Sequence, residues 1–444
     1  MVGYVGRLGP ADLQQVDENR YAATTHIGKT GVERYYENTL HGEVGYEQIE
    51  VNAQGRVLNR IIELEPTAGS DVYLTIDARL QRIASEAMAG RTGAVVAIDP
   101  ANGEVLALVS EPGFDPNSFV NGISQQQYSQ LLNAPGRPLF NRALRGGYEP
   151  GSTIKPYVAL AGLELGVIDA STTVFSRGYF QLPGQERRYR DWKREGHGRV
   201  NVAEAIAQSV NVFFYELAVE LGIDRMHDYL EQFGFGEATG IDLGGEAAGI
   251  LPSTAWKRAA RSEPWYPGET VIAGIGQGFM VATPLQLAHA VSILAARGTV
   301  YQPHLLRATA RPDHVASPAV ALPINDVVIG EQSHWEMVLQ GMEGVLHSER
   351  GTARRVMADQ PGFRMAGKSG TAQVYGSPQE GPELEMSDLP ENLRHHALFV
   401  AFAPVDAPRI AVAVVVEHGG GGSSVAAPLA RQVIEGYLNL AVDP

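Results

Sequence analysis

Apolar residues recur at two periods along this chain, and the switch between them lays out the elements. Leu80, Ile83, Ala84 and Ala87 fall at helical spacing and predict a helix over Ala78–Gly90, entered through Leu74-Thr75-Ile76-Asp77. Two apolar runs follow, Ala94–Ile98 and Glu104–Ser110, joined by the turn residues Ala101-Asn102-Gly103, which is a hairpin signature. Near the other end, Ala397–Pro404 and Arg409–Glu417 predict a second hairpin and Val425–Leu440 an amphipathic closing helix. Strands at both ends with a terminal helix on each side imply an α+β domain: an antiparallel five-stranded sheet flanked by helices, with a helical subdomain inserted between the hairpins.

The insertion itself is readable in part. A proline-glycine turn delivers Ser152 to an apolar segment, Val158 through Leu165, so a helix is expected from Ser152 to a stop at Gly166. The polar, Arg-rich stretch 178–199 reads as an ordered loop. Asn201 and Glu204 have capping-box spacing and open a helix ending near Ser209-Val210-Asn211, with another over Phe213 to Leu221. Thr283 and Pro284 start a further helix, and Phe363–Val374 reads as a strand whose glycines allow close backbone approach to a ligand. The acidic segment Tyr375–Asn392 is expected to be a long loop. Residues 1–68 read as part of a separate module, with a helix after Gly28-Lys29-Thr30-Gly31, a strand over Tyr46–Asn52 and a turn at Gln54-Gly55; Pro66–Ser70 marks the boundary to residues 69–444. Gly28-Lys29-Thr30 lacks the preceding glycine of a phosphate loop.

Composition narrows the class. With 444 residues, 44% of them hydrophobic, the chain can bury at least one large core. A net charge of −15 argues against nucleic acid as a partner and against adhesion to anionic lipid. There are no cysteines, which excludes thiol catalysis, thiolate-bound metals and disulfides. No stretch reaches the roughly 18 apolar residues needed to span a bilayer. Lysine occurs only at Lys29, Lys155, Lys193, Lys257 and Lys368, against a large majority of arginine. Only lysine can surrender its proton when desolvated.

Two of those lysines fall in motifs. Ser152 and Lys155, three apart at a helix start, share a face, and the macrodipole there opposes an ammonium and favours an anion. By itself Ser-x-x-Lys is expected about once per 400 residues by chance, so it is as consistent with an ordinary helix start as with a nucleophile and its base. Two further motifs change the balance: Ser209-Val210-Asn211 on an interhelical turn, and Lys368-Ser369-Gly370-Thr371 on a glycine-bearing strand. Together they form the S-x-x-K, S-x-N, K-[ST]-G set of penicillin-binding proteins and serine β-lactamases. With Gly28–Gly31, Asn52–Val57, Tyr148–Pro156, Tyr189-Arg190-Asp191-Trp192, Gly274–Pro284 and Gly367–Gln373, the chain resembles, over essentially its whole length, a class B penicillin-binding protein of the elongation, or rod-shape, type.

Acyl transfer from an amide needs a nucleophile, a base, a proton for the leaving amine and an oxyanion site. Ser152 supplies the nucleophile and Lys155 the base, kept neutral by burial and by Lys368; Ser209 relays protons. Asn211 holds the substrate amide, while Lys368, Ser369 and Thr371 offer a cation and hydroxyls to a carboxylate, with Gly370 and Gln373 on the same substrate-binding strand. The resemblance implies oxyanion donors at the backbone N–H groups of Ser152 and Thr371. It also implies a peptidoglycan stem peptide ending in D-Ala-D-Ala as substrate, a Ser152 acyl-enzyme, β-lactams as covalent inhibitors, and residues 1–68 as the remnant of a non-catalytic pedestal. The location it implies is the periplasmic face of a bacterial inner membrane, held by an N-terminal helix outside this sequence, with a SEDS-type glycosyltransferase and elongation scaffold proteins as partners. Some members hold zinc near the site. Asp191 and His197 are present here, but Val210 occupies the cysteine position and Ser176 or Arg177 stands where a carboxylate is expected, so no metal or other cofactor is expected. His395 and His396 read as surface or packing residues. The motifs alone do not separate a transpeptidase from a β-lactamase or D,D-carboxypeptidase on the same fold, or from a non-catalytic β-lactam sensor.

Overall fold

Five strands form the central antiparallel sheet: β1 (Gly93–Ile98), β2 (Val105–Glu111), β3 (Ala366–Ala372), β4 (His396–Ala403) and β5 (Ile410–Val416), ordered β3-β4-β5-β1-β2. Residues 2–17, 19–324, 326–328, 330–374 and 389–440 are described by this computed structural model. β1 and β5 are buried at every position, which requires both faces of the sheet to be covered and explains why these strands are continuously apolar rather than alternating. Side chains divide between the faces with period two: Val96, Leu398, Val400, Phe402 and Ala413 join one core, while Val95, Phe399, Ala401, Val412 and Val414 join the other.

The second core is closed by two terminal helices, α1 (Ala78–Met88) and, last in the chain, Ala427–Leu440, which pack on each other and on the same face of the sheet. The first core is closed by the inserted helices, of which α2 (Lys155–Glu164), α3 (Val202–Ala207), α4 (Asn211–Leu221), α5 (Pro284–Ala295) and α6 (Gln332–His347) matter most here; the C-terminal helix is accordingly α7. All twelve residues of α5 are buried and so are nine of the ten in α2. An α-helix that is apolar all round belongs inside. Lys155 is carried into that interior by its neighbours in α2.

The structure redraws several expected boundaries. The helix predicted from Ser152 begins as a single 3-10 turn, Gly151–Ile154, and becomes α-helical only at Lys155. Pro156 has no N–H to give the Ser152 carbonyl, and the Lys155 N–H takes that carbonyl instead. The strand expected over Phe363–Val374 is confined to β3, and the helix expected from Phe213 starts two residues earlier. The stretch 178–199 is more regular than a loop: Tyr179–Gln181 pairs with Arg188–Arg190, and Val174–Ser176 with Gly198–Val200. In the N-terminal module Tyr46–Val51 pairs with Val57–Leu64, a strand the periodicity does not predict because Ile61 and Ile62 are adjacent and break the alternation. Of the loop expected over Tyr375–Asn392, residues 375–388 lie outside the described residues.

One buried ion pair ties the segment before Ser152 to the sheet. Arg142 Nε donates to Glu417 Oε1 at 2.9 Å, and Tyr148 Oη donates to the same oxygen at 2.8 Å. The Arg142 side chain is 4% exposed. Removing one partner of such a pair leaves an uncompensated charge inside and costs about 3–5 kcal/mol. Glu417→Ala is therefore expected to lower the thermal midpoint by roughly 5–10 °C in calorimetry, with Glu417→Gln milder because it keeps an acceptor.

Candidate active site

Three segments far apart in sequence meet at one cleft of about 830 Å³. Ser152 stands on the 3-10 turn ahead of α2, Ser209 and Asn211 at the turn between α3 and α4, Ser369 and Thr371 on β3, and Gln373 just past the end of β3; all six line the cleft. β3 is the edge of the sheet, so alternate residues of that strand face the opening. Gly370 is buried behind them. A Cβ there would come within 2.7 Å of the Pro150 carbonyl oxygen and of Thr153 Cγ2, so only glycine lets β3 lie this close to the Ser152 turn. Gly151, at φ +53°, makes the turn itself.

Lys155 and Lys368 are both 0% exposed. Lys155 Nζ donates to Asn211 Oδ1 at 2.6 Å, to the Ser209 carbonyl at 2.8 Å and to Ser209 Oγ at 3.3 Å. Lys368 Nζ donates to Ser209 Oγ at 3.0 Å and to the Ser369 carbonyl at 3.1 Å. Ser209 is the shared partner, and its backbone adopts φ +57°, a left-handed conformation uncommon for a non-glycine residue, which turns its hydroxyl inward between the amines. Burial pushes the Lys155 pKa down to about 7, against an opposing pull from the charge of Asp191. Burial, and next the neighbouring Lys155, hold Lys368 well below the usual lysine range.

The arrangement departs from the sequence reading in one respect. Among the described residues the Ser152 hydroxyl makes no hydrogen bond, and Lys155 is engaged with Ser209 and Asn211 instead. Ser209 and Asn211, which the sequence places on an interhelical turn, both direct side-chain oxygens to Lys155.

Asp191 and His197 lie directly behind the S-x-N turn. Asp191 Oδ2 accepts the Val212 N–H at 3.0 Å, at the start of α4, and Oδ1 lies 3.3 Å from His197 Nε2; His197 Nδ1 is 3.3 Å from Gln208 Oε1. Burial raises the Asp191 pKa, but the hydrogen bond from His197 and the charge on Lys155 outweigh it, and the carboxyl stays below its ordinary value. Among the described residues no three of His, Asp and Glu gather as a metal site would require.

Some residues of the cleft carried no sequence signal. Thr352, after α6, brings its hydroxyl within 3.3 Å of Ser369 Oγ, and Glu149 accepts the Gly278 N–H at 3.0 Å. His395 is buried and accepts the Val374 N–H at 3.2 Å just past β3, and His396 opens β4. A second cavity, at the root of the N-terminal hairpin beside His41, Glu43 and Glu63, contains none of the motif residues.

A serine at a helix start, two buried amines joined through a second hydroxyl, and an edge strand rich in hydroxyls on a helix-covered antiparallel sheet are the arrangement of the serine acyl-transferases that carry the S-x-x-K, S-x-N, K-[ST]-G set. The chain belongs to the penicillin-binding proteins: residues 93–435 match the penicillin-binding protein transpeptidase domain and residues 1–74 the penicillin-binding protein dimerisation domain. It is 46% identical over 442 residues to the peptidoglycan D,D-transpeptidase MrdA of Escherichia coli K12, a match spanning 98% of this chain and 69% of that protein. Among solved structures, penicillin-binding protein 2 (PBP2) of Pseudomonas aeruginosa in complex with WCK 5153 is 47% identical, with a TM-score of 0.86 over 98% of this chain and 87% of that one. PBP2 of Helicobacter pylori in complex with MreC is 33% identical, with a TM-score of 0.88 over all of this chain and 77% of that one.

Proposed function

We infer that this chain is a peptidoglycan D,D-transpeptidase that works through an acyl-enzyme on Ser152. The observation that carries the inference is the pair of fully buried lysines sharing the Ser209 hydroxyl below the cleft that Ser152 lines. Ser152 Oγ attacks the carbonyl of the penultimate D-Ala and gives its proton to neutral Lys155. The tetrahedral intermediate collapses as the C–N bond breaks, and a proton passed through Ser209 leaves with D-Ala. An amine from a second stem then attacks the Ser152 ester, yields a proton to the same base and releases serine, so that one amide replaces another. The backbone N–H groups of Ser152 and Thr371 are assigned to the oxyanion, and Ser369, Thr371 and Lys368 to the terminal carboxylate. Asn211 and Gln373 hold the peptide against the free edge of β3, in the manner of an added strand. A β-lactam, itself a strained amide with a carboxylate, acylates Ser152 and leaves slowly.

The Asp191–His197 pair does not fit a zinc site. Its donor atoms are spent on each other, on the Val212 N–H and on Gln208, and Val210 and Ser176 offer no further anionic ligand. We read the pair as a brace that fixes the start of α4, and no step runs through a metal.

Residues 1–68 are read as belonging to a non-catalytic pedestal, supported by the dimerisation-domain match over residues 1–74. No described helix is long and apolar enough to cross a membrane; anchoring at the periplasmic face of the inner membrane, and a SEDS-type glycosyltransferase as partner, rest on family membership. The MreC complex of the H. pylori relative supports a scaffold partner of that kind.

Partitioning of the acyl-enzyme tests the reaction. With a D-Ala-D-Ala stem peptide and an amine-bearing acceptor peptide, D-Ala release accompanied by cross-linked product is expected, together with a stoichiometric, slowly decaying nitrocefin adduct. Rapid nitrocefin turnover would assign the site to a β-lactamase, D-Ala release with hydrolysed peptide alone would assign it to a carboxypeptidase, and an adduct without D-Ala release would assign it to a sensor.

A further inference from the structure

The charge of the cleft is opposite to that of the chain. Acidic residues outnumber basic ones 50 to 35 overall. The residues lining the cleft nevertheless include six arginines and only two acids, Glu149 and Asp191. Both acids are already engaged, Glu149 by the Gly278 N–H and Asp191 by His197 and the Val212 N–H. A cleft lined by one sign of charge between low-dielectric walls focuses its field on what enters. The amines of Lys155 and Lys368 lie beneath this rim with depressed proton affinity, so the arginines supply the permanent charge.

Two of these arginines are built to use it. Arg187 and Arg188 are exposed at the tip and second strand of the Tyr179–Gln181/Arg188–Arg190 hairpin. The guanidinium of Arg187 lies 4.9 Å over the ring of Tyr189, and that of Arg188 lies 4.7 Å over the ring of Tyr179. Tyr189 is itself buried and packs at 5.9 Å against Tyr215 of α4, which lines the cleft. Stacking fixes the plane of a guanidinium while leaving its N–H edge open, the geometry suited to bidentate capture of a carboxylate. Among the described residues neither arginine forms an ion pair. On the far wall Arg350 and Arg354 flank Thr352, whose hydroxyl meets Ser369, and they too form no ion pair among the described residues.

We propose that Arg187 and Arg188 form a carboxylate subsite that selects donor stem peptides bearing a second, non-reacting carboxylate upstream of the scissile amide. This rests on the acyl-transfer reading above and adds the substrate class to it. The terminal carboxylate is taken by β3, whereas the second one lies across the cleft on the hairpin. The two arginines are specificity residues and take no part in bond making.

The test uses two synthetic donor peptides ending in D-Ala-D-Ala, identical except that one branch carboxylate is free in the first and amidated in the second. The wild-type chain is expected to favour the free acid by roughly tenfold in kcat/KM, as one charge-assisted hydrogen-bonded pair provides, with the difference in KM rather than kcat. Arg187→Gln/Arg188→Gln removes that preference while leaving the amidated peptide and benzylpenicillin acylation within about twofold of wild type, and Arg187→Lys/Arg188→Lys restores part of it. Absence of the preference in the wild type, its persistence in the double variant, or an equal loss on both peptides and on penicillin would each overturn the proposal. Should the double variant fail to fold, the wild type decides: the preference shrinks as salt is raised if charge carries it, and a salt-independent preference refutes it. Failure of penicillin to label Ser152 in the wild type is a separate outcome, which removes the acyl-enzyme reading itself.

Discussion

Ser152→Ala yields a protein that unfolds at the wild-type temperature and gains no mass on incubation with benzylpenicillin, whereas the wild type gains one penicilloyl group per chain. Both halves of that expectation follow from how Ser152 is held. Its hydroxyl makes no hydrogen bond among the described residues and lines the cleft, so its removal creates neither a buried unsatisfied group nor a sizeable cavity, the usual causes of large destabilisation. Nothing in the fold requires it. The chemistry requires it entirely, because covalent catalysis without the nucleophile falls by roughly 10⁵–10⁶-fold, leaving only what binding and the oxyanion donors supply. Intact-mass spectrometry before and after incubation reads the adduct directly. A penicilloyl group on Ser152→Ala would place the nucleophile elsewhere, and peptide mapping would then choose between Ser209 and Ser369, the other motif serines facing the cleft.

How far this centre was legible in the sequence depends on the kind of contact involved. The sheet was readable because β1, β4 and β5 are buried on both faces, and runs such as Ala94–Ile98 admit almost nothing but apolar residues. The three motifs were readable because their chemistry fixes residue types at short spacing. Contacts set only by the three-dimensional path were not. Arg142 and Glu417 are 275 residues apart and carry no local signature. Thr352 reaches Ser369 only because α6 packs behind β3. The left-handed φ of Ser209 could not be foreseen either: nothing local marks a serine for that conformation, in which one hydroxyl lies between two amines. For the same reason the sequence, which places Lys155 three residues from Ser152, suggests a Ser–Lys contact where the fold provides a Ser209–Lys–Asn211 one.

That substitution of partners sets the second large effect. Lys155 Nζ meets three acceptors, the full complement of an ammonium, and a neutral amine has only two hydrogens to give. The longest contact, 3.3 Å to Ser209 Oγ, is the one to be released. Once the amine is neutral, that release leaves its lone pair open to the proton of Ser152, while Ser209 Oγ, still accepting from Lys368 at 3.0 Å, stays placed to carry the proton onward. With the Lys155 pKa lowered to about 7 by burial, the base form grows as pH rises through that value. Acylation by benzylpenicillin is therefore expected to be slow at pH 5, to climb through an inflection near 7 and to level off above it. Lys155→Ala removes the inflection and slows acylation by about 10³–10⁴-fold, within the range for loss of a positioned base. Lys155→Arg keeps the positive charge but cannot shed its proton, so an equal loss in that variant assigns the defect to proton transfer rather than to charge. Stability moves with the same titration. The folded amine holds its proton less tightly than the unfolded one, so this residue's contribution to stability improves as pH rises from about 7 to about 10, and Lys155→Met abolishes that slope. An acylation rate that stays flat between pH 5 and 9, or an Arg variant that acylates normally, would remove Lys155 from the role of base and leave Lys368, the other amine on Ser209, as the group to test.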